Sequence, residues 1–248
     1  MNKIIYISFL YIFNKIINWG RGKLDINFIQ THYHLYIEAG ILTIRIAAIG
    51  IVLSLIIGII CSLIKTMKIP VLKTIVSIYI ELSRNTPLLI QLFFLYFGLP
   101  KLGIVLSSET CGIIGLAFLG GSYMAEAFRS GIENVSQVQH ESALSLGMTK
   151  SQVFWYITLP QAFETSVPVL CANIIFLIKE TSVFSAVALA DLMFVAKDLI
   201  GIYYKTDEAL LMLVIAYLLI LLPISIICTS IERRVRYAGF GDKSTISR

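Results

Sequence analysis

Residues 40–64 read GILTIRIAAIGIVLSLIIGIICSLI, and this stretch decides the class of fold. A helix needs about 20 mainly apolar residues to cross the hydrocarbon core of a bilayer, which is about 30 Å thick. Four further stretches meet the same requirement, at 75–99, 111–128, 167–195 and 209–231. All five must be helices, because an open strand in lipid leaves its backbone groups without hydrogen-bond partners. The sequence therefore predicts an all-α, polytopic membrane bundle with five core transmembrane helices.

The overall composition also excludes a soluble globular protein. Hydrophobic residues make up 57% of the chain and charged residues 14%, and the mean hydropathy is +0.84. The net charge of +5 does not require nucleic acid as a partner, because loops on the cytoplasmic side of a membrane collect Lys and Arg. Each of the four cysteines stands alone in an apolar run, without a C-x-x-C pair, so we interpret them as packing residues. They are Cys61, Cys111, Cys171 and Cys228.

The distribution of cations predicts the orientation of the spans. Ten cations fall in the loops after the first and third spans and in the tail, namely Lys65, Lys68, Lys73, Arg129, Lys150, Arg233, Arg234, Arg236, Lys243 and Arg248. The opposite loops carry three, Lys101, Lys197 and Lys205. The positive-inside rule places the side with ten cations, and with it the C-terminus, in the cytoplasm.

The ends of the chain are predicted to lie outside the transmembrane domain. In the N-terminal segment, 1–37, the apolar run 4–13 is interrupted by Asn14 and Lys15. We interpret this run as a helix lying in the outer membrane interface, and a sixth span that starts in the cytoplasm is the alternative. The transmembrane domain itself covers 38–231, and 232–248 form a basic cytoplasmic tail.

The chain lacks the motifs of a nucleotide-binding or metal-dependent enzyme. It has no G-x-x-x-x-G-K-[ST] phosphate loop. His140-Glu141 begins like H-E-x-x-H, but Leu144 stands where the second histidine belongs. His32 and His34 have no carboxylate or cysteine beside them, so we expect no metal site. The sequence predicts neither catalysis nor a cofactor held by this chain, and it disfavours a membrane-embedded hydrolase.

The long connection between the third and fourth spans is predicted to be an ordered hairpin, at about 136–160. Gly147 can adopt the positive φ that ends one helix. Thr149 can cap a second helix, with Gln152 completing a capping box. Pro160 is expected to stop that short helix, because proline has no N–H to donate. From spacing alone, such a hairpin could also be a simple support at the membrane surface.

Four motifs in this sequence together resemble the permease subunits of ATP-binding-cassette (ABC) importers. The hairpin resembles their E-A-A-x3-G-x9-I-x-L-P signature through Glu141, Ser142, Ala143, Gly147, Ile157, Leu159 and Pro160, with Ser142 in place of Ala. The other three motifs resemble the polar amino acid uptake branch, of the histidine, glutamine and arginine type: Arg84–Leu92 (R-G-T-P-L-L-x-Q-L, with Asn85 for Gly), Tyr123–Ile132 (Y-x-A-E-x-x-R-x-G-I) and Lys179–Ser182 (K-[DE]-T-S).

The resemblance implies a function, a location and a set of partners. It implies a type I importer transmembrane domain in the bacterial cytoplasmic membrane, translocating polar amino acids. The E-A-A residues are then the coupling helix that contacts the ATPase. Expected partners are two ABC ATPase subunits that bind the ATP, a second permease copy or a paralogue, and an extracytoplasmic solute-binding protein. An ion-gradient-driven secondary transporter or channel is the alternative, although we find none of the internal repeats that many such proteins carry.

Polar residues within the apolar runs are the candidates for a translocation pathway. They are Arg84, Thr86, Pro87, Glu126, Lys179, Glu180, Thr181 and Ser182. Lys179 and Glu180 fall near the centre of the fourth span, where charges are costly unless they face a cavity or a partner. They could bind a zwitterionic substrate or form interhelical ion pairs. Glu81 with Arg84, and Glu126 with Arg129, have the i, i+3 spacing of ion pairs along one helix face.

Pro87 is predicted to kink the second span. Proline at this position leaves the carbonyl of Ser83 without its usual helical donor. Such a kink is tolerated within a membrane where the backbone lines protein or a water-filled path. Pro87 is therefore a candidate hinge or pathway residue.

Overall fold

The structure, a computed structural model, describes residues 24–66 and 69–238. Within these residues the protein is a helical bundle. The predicted helix at 4–13 lies outside them. The α-helices in chain order are α1 Ile26–Thr66, α2 Pro70–Arg84, α3 Leu88–Phe93, α4 Ser108–Glu133, α5 Gln137–Ser145, α6 Lys150–Val153, α7 Leu159–Glu180, α8 Leu192–Tyr203 and α9 Thr206–Ala238. These described ranges contain no strand, and the prediction of an all-α membrane bundle is confirmed.

Four helical segments of the described chain are long and apolar enough to cross a membrane by length and composition. They are Ile26–Lys65, Ser108–Glu133, Lys150–Val187 and Thr206–Val235. The predicted second span, 75–99, is instead divided between α2 and α3, which is followed by a π-helical turn, Phe94–Gly98, and a 3-10 turn, Leu99–Leu102. The division falls at Pro87, as the sequence predicts.

The predicted fourth span, 167–195, is wrong at both ends. Helix α7 already begins at Leu159, so that Pro168 lies inside it, and it ends at Glu180. A 3-10 segment, Thr181–Val187, follows, and α8 starts after Asp191, whose side chain accepts a hydrogen bond from the backbone N–H of Phe194. Hydropathy cannot detect this interruption, because the residues on both sides of it are equally apolar.

The expectation that Pro160 stops the short helix after Gly147 is also wrong. A π-helical turn, Phe154–Thr158, joins α6 directly to α7, and Pro160 occupies the first turn of α7. A π-helical turn shifts the hydrogen-bond pattern from i→i−4 to i→i−5. The helical path therefore continues through the proline, and the short helix of the hairpin is continuous with a membrane span.

Helix α4 is the central element of the bundle, and glycines on α4 and on α1 let the helices approach one another closely. Helix α1 presents Gly50, Ser54 and Gly58, a small residue at every fourth position, which is the pattern that brings membrane helices together. A Cβ atom added at Gly58 would lie 2.4 Å from the Cβ of Met124. On another side of α4, a Cβ at Gly131 would lie 1.8 Å from the Oγ of Ser166 on α7.

Side chains from three neighbouring helices donate hydrogen bonds to backbone carbonyls of α4. The bonds are Ser54 Oγ to Leu116 O (3.1 Å), Ser83 Oγ to Phe118 O (2.9 Å), Tyr79 Oη to Phe118 O (2.7 Å), Asn173 Nδ2 to Tyr123 O (3.1 Å), Ser166 Oγ to Ala127 O (3.2 Å) and Thr165 Oγ1 to Gly131 O (3.1 Å). Such bonds contribute about 0.6 kcal/mol each between membrane helices. Close packing therefore holds the bundle together, and the hydrogen bonds fix its register.

Two ion pairs show that α1 and α4 run in the same direction. Arg45 pairs with Glu109, and further along both helices Lys65 pairs with Glu126. We call the end of the bundle that carries residues 134–158 the hairpin end. At the opposite end, the backbone N–H of Phe28 and the ammonium of Lys205 hold the pKa of the Asp25 carboxyl below its usual range.

The predicted boundaries at both ends of the transmembrane domain fall within continuous helices. Helix α1 begins at Ile26 and passes through residue 37, and α9 continues through residue 232 to Ala238. The four cysteines are all buried.

Candidate functional site

Two helices are interrupted at the same level, halfway along α4. Ser83, beside the break between α2 and α3, bonds to Phe118 O and to the hydroxyl of Ser122. The break after α7 lies at the same level, because Leu177 in the last turn of α7 packs against Gly120. A Cβ atom added at Gly120 would lie only 2.7 Å from the Leu177 side chain. Interrupted helices within a membrane are tolerated where their free backbone groups line a cavity, and in transporters they mark substrate sites.

A cavity of about 320 Å³, the central pocket, lies where the two breaks meet. Its lining residues are Arg84, Asn85, Thr86, Pro87, Leu88, Leu89, Leu119, Tyr123, Phe176, Glu180 and Val183. The guanidinium of Arg84 lies 5.3 Å from the centre of the Tyr123 ring, a cation–π contact. The pocket thus carries one cation and one acid on a largely apolar and aromatic wall.

The break at Pro87 is held in shape by Gln91. Its Nε2 donates to the carbonyl of Ser83, the group that Pro87 leaves without its usual partner, at 3.1 Å. It also bonds to the carbonyl and the hydroxyl of Thr86, at 3.1 and 3.0 Å. Gln91 therefore supplies a donor to the carbonyl that Pro87 leaves free, and it ties that carbonyl to Thr86.

Asn85, where the motif usually has glycine, caps the end of α2. Its φ of −92° is open to any residue, so the change costs no backbone strain. Its Nδ2 donates to both the carbonyl and the carboxylate of Glu81, at 2.8 and 3.0 Å. The predicted Glu81–Arg84 pair is wrong for this reason, because Asn85 occupies Glu81 and Arg84 turns toward Glu126 instead, at 3.9 Å.

A second cavity, the hairpin-end pocket, lies between α1, α2 and α4 and measures about 430 Å³. Glu126 is the centre of its charges. Its carboxylate accepts hydrogen bonds from Arg129, at 2.7 and 2.9 Å, and from Lys65, at 3.1 Å. The predicted Glu126–Arg129 pair is thus formed, and it belongs to a cluster that ties α1 and α2 to α4.

The candidate pathway residues do not all lie in one cavity. Arg84, Thr86, Pro87 and Glu180 line the central pocket, whereas Glu126 lines the hairpin-end pocket. Thr181 is buried and donates to the carbonyl of Ile178, while Lys179 is exposed outside both cavities. Ser182 is half-buried and lines neither cavity. Within 24–66 and 69–238, neither Lys179 nor Glu180 forms an ion pair, so the alternative of an interhelical pair is not realised there.

Sequence reasoning missed an ion pair outside both cavities and the aromatic wall of the central pocket. Arg45 on α1 pairs with Glu109 at the start of α4, and both are about half exposed. The signal was a charge inside an apolar run. Tyr123, the aromatic face under Arg84, belongs to a recognised motif, but nothing in the spacing shows what it faces. No group of three or more His, Cys, Asp and Glu that could hold a metal occurs in the described part of the chain.

The hairpin consists of α5, a glycine corner and α6. Gly147 has a φ of +85°, its N–H bonds to Leu144 O, and that of Met148 bonds to Ala143 O, which together form a Schellman motif. The predicted capping box of Thr149 and Gln152 is present. Of the signature residues, Glu141, Ser142, Gly147 and Pro160 are exposed, Ile157 and Leu159 are half-buried and Ala143 is buried.

Comparison with known families decides what this arrangement is. Residues 50–237 match the family model described as "Binding-protein-dependent transport system inner membrane component". The chain belongs to this family. It is a transport subunit and not an enzyme, and membership implies a separate ATPase, a permease partner and a binding protein. The alternative of an ion-gradient-driven transporter is not favoured.

Individual relatives support the same assignment. The "Probable amino-acid permease protein YxeN" of Bacillus subtilis (strain 168) is 34% identical over 215 residues, which are 86% of this chain and 96% of the relative. The "Probable glutamine ABC transporter permease protein GlnP" of the same organism is 33% identical, over 69% of this chain and 79% of the relative. A crystal structure of an amino acid ABC transporter with histidines superposes with a TM-score of 0.81 at 31% identity, over 86% of this chain and 99% of that chain.

Proposed function

We propose that this permease subunit carries polar amino acids into the bacterial cytoplasm. The observation that carries the proposal is the central pocket, which holds a cation, Arg84, and an acid, Glu180, in one cavity halfway along the bundle. An α-amino acid carries a carboxylate and an ammonium and needs both. A glutamine transporter permease among the relatives, and the similar amino acid ABC transporter solved with histidines, point to the same class of substrate.

The corner of the hairpin is the proposed contact for the ATPase. Glu141, Ser142 and Gly147 are exposed there, and Leu146 beside them exposes 84% of its surface. The Schellman motif and the capping box fix the backbone of this corner, so a partner can contact these exposed residues without reordering the chain. Ala143, Ile157, Leu159 and Pro160 lie deeper or at the junction with α7, and we assign them the role of holding the corner in place.

The assembly that we propose contains two ATPase subunits, which bind the ATP, and a second permease copy or a paralogue. The hairpin end then faces the cytoplasm together with the C-terminus, in agreement with the excess of Lys and Arg on that side. The solute-binding protein delivers substrate at the opposite end. The continuous helical path of α6, the π-helical turn and α7, which contains Pro168, connects the ATPase contact to Glu180.

The experiment that tests this function is reconstitution of the complex in liposomes. The permease is purified with candidate ATPases, and ATP hydrolysis is measured with and without the binding protein and L-glutamine or L-histidine. Substrate-dependent stimulation of ATP hydrolysis, together with accumulation of the amino acid, is expected. Accumulation driven by an ion gradient in the absence of ATP would contradict the proposal.

The role of Glu180 is tested by Glu180→Gln, with Lys179→Gln as its matched control. A hydrogen bond to a charged group contributes about 1.5–3 kcal/mol, so Glu180→Gln should raise the KM for amino acid uptake about tenfold or more. Lys179 neighbours Glu180 but lies outside the central pocket, so its neutralisation should leave KM close to the wild-type value. Equal effects of the two substitutions on KM would contradict the assignment of Glu180 to the pathway.

A further inference from the structure

Arg84 stands at the boundary between the two cavities. Of the described lining residues, it is the one that the central pocket and the hairpin-end pocket share. It is also the last residue of α2, directly before the break at Pro87. A movement of this one side chain would therefore change the charge that each cavity presents.

The guanidinium of Arg84 is held only weakly in its present position. Its pair with Glu126 is 3.9 Å long, and no hydrogen bond from Arg84 is found within 24–66 and 69–238. By contrast, Arg129 and Lys65 contact the same carboxylate at 2.7 and 3.1 Å. Charge-assisted hydrogen bonds are strong at about 2.7–2.9 Å, whereas a half-exposed pair near 4 Å contributes little. Arg84 is thus the cation that can leave Glu126 at the lowest cost.

Two further features prepare Arg84 for a second partner. The carboxylate of Glu81 accepts a hydrogen bond from Asn85, and within the described residues it forms no ion pair with Arg84. The ring of Tyr123 lies beneath the guanidinium and keeps it on the wall of the central pocket. A planar guanidinium with free N–H groups is well suited to bind a carboxylate through two parallel hydrogen bonds.

We propose that Arg84 exchanges carboxylates: it rests against Glu126 and transfers to the α-carboxylate of an amino acid that enters the central pocket. This exchange rests on the proposed function and specifies the substrate as one with a free carboxylate. It releases the link between α2 and Glu126 when substrate is bound, so that occupancy of one cavity changes the charge cluster of the other.

The test compares an amino acid with its α-amide, which lacks the carboxylate charge. Binding of L-glutamine and L-histidine, and of their α-amides, is measured by calorimetry on the complete permease–ATPase complex in nanodiscs, without the binding protein. The wild type should bind the amino acid about tenfold or more tightly than the amide. Arg84→Gln should remove this preference. Arg84→Lys keeps the charge but cannot donate two parallel hydrogen bonds, so it should retain part of the preference. Lys73→Gln is the control, because Lys73 lines the hairpin-end pocket but not the central pocket.

Glu126→Gln tests the exchange itself. If Glu126 competes with the substrate for Arg84, its neutralisation should increase the affinity for the amino acid about two- to fivefold, the most that so weak an ion pair allows, and leave the affinity for the amide unchanged. Damage to the fold would lower both affinities. An amino acid affinity that is unchanged or lower in a folded Glu126→Gln complex overturns the inference. A preference for the amino acid over its amide that survives in Arg84→Gln also overturns it. If the wild-type complex binds neither amino acid, the proposed function fails instead.

Discussion

Replacing Gly147 with valine is expected to uncouple ATP hydrolysis from uptake while the protein still inserts into the membrane. Gly147 adopts a φ of +85°, a conformation that costs about 1–2 kcal/mol for an L-residue and more for a β-branched one. A cost of this size shifts the population of the native corner about 5- to 30-fold. Uptake in proteoliposomes should fall accordingly, whereas ATP hydrolysis by the complex should lose its dependence on substrate.

The chain offers a matched control for this substitution. Gly103 has a φ of +84°, and a Cβ atom at either glycine would meet nothing within 4 Å. Gly103→Val therefore introduces the same backbone cost, but in the loop between the predicted second and third spans, away from the hairpin. It should leave coupling close to the wild-type level. Comparable uncoupling by both variants would show that backbone strain alone, and not the contact with the ATPase, accounts for the effect.

Gly147→Asn separates conformation from contact. Asparagine tolerates positive φ better than other residues with a side chain, so the corner should keep its shape. If Gly147→Asn still uncouples, the added side chain obstructs a partner that packs directly on the corner. If it transports normally, the defect of the valine variant lies in the bend itself.

The largest effect on stability is expected from Gly131→Val. The new Cβ would lie 1.8 Å from Ser166 Oγ and 2.5 Å from the backbone oxygen of Ala162, so α4 and α7 would have to separate. The interhelical bonds of Ser166 and Thr165 to carbonyls of α4 would be lost with them. Overpacking typically costs about 1–3 kcal/mol, and a displaced backbone puts this variant at or above the top of that range.

Thermal unfolding and size-exclusion profiles of the purified protein in detergent measure this loss. Gly201→Val on α8 is the control, because a Cβ there meets nothing within 4 Å. It should unfold close to the wild-type temperature. A Gly131→Val protein that is as stable as Gly201→Val would show that α4 and α7 leave room for a side chain at residue 131.

The class of fold and the hairpin could be predicted from the sequence because both depend on local patterns. Apolar length alone identifies membrane helices, and Thr149 with Gln152 satisfies a capping box within one turn. The interruption after Glu180 could not be found in this way, since residues 181–195 are as apolar as a continuing helix. Its signal was Asp191, a helix-capping residue inside an apolar run, whose complete burial only the fold reveals.

The central pocket could be predicted only in part, because its geometry depends on contacts between distant segments. Spacing paired Arg84 with Glu81, three residues away on the same helix. The competing bond from Asn85 and the approach of Glu126 on α4 decide otherwise. Likewise, the motifs named Tyr123 and Glu180 separately, and only the packing of α4 against α7 brings them to one cavity.

The burial of all four cysteines has a practical consequence for following the transport cycle. Thiol-directed dyes and spin labels react with accessible thiolates, so the native side chains should remain unmodified under mild conditions. A single cysteine introduced at the exposed Lys150 would then carry the label selectively. Spectroscopy on otherwise unaltered protein could record when the hairpin moves relative to nucleotide binding and release.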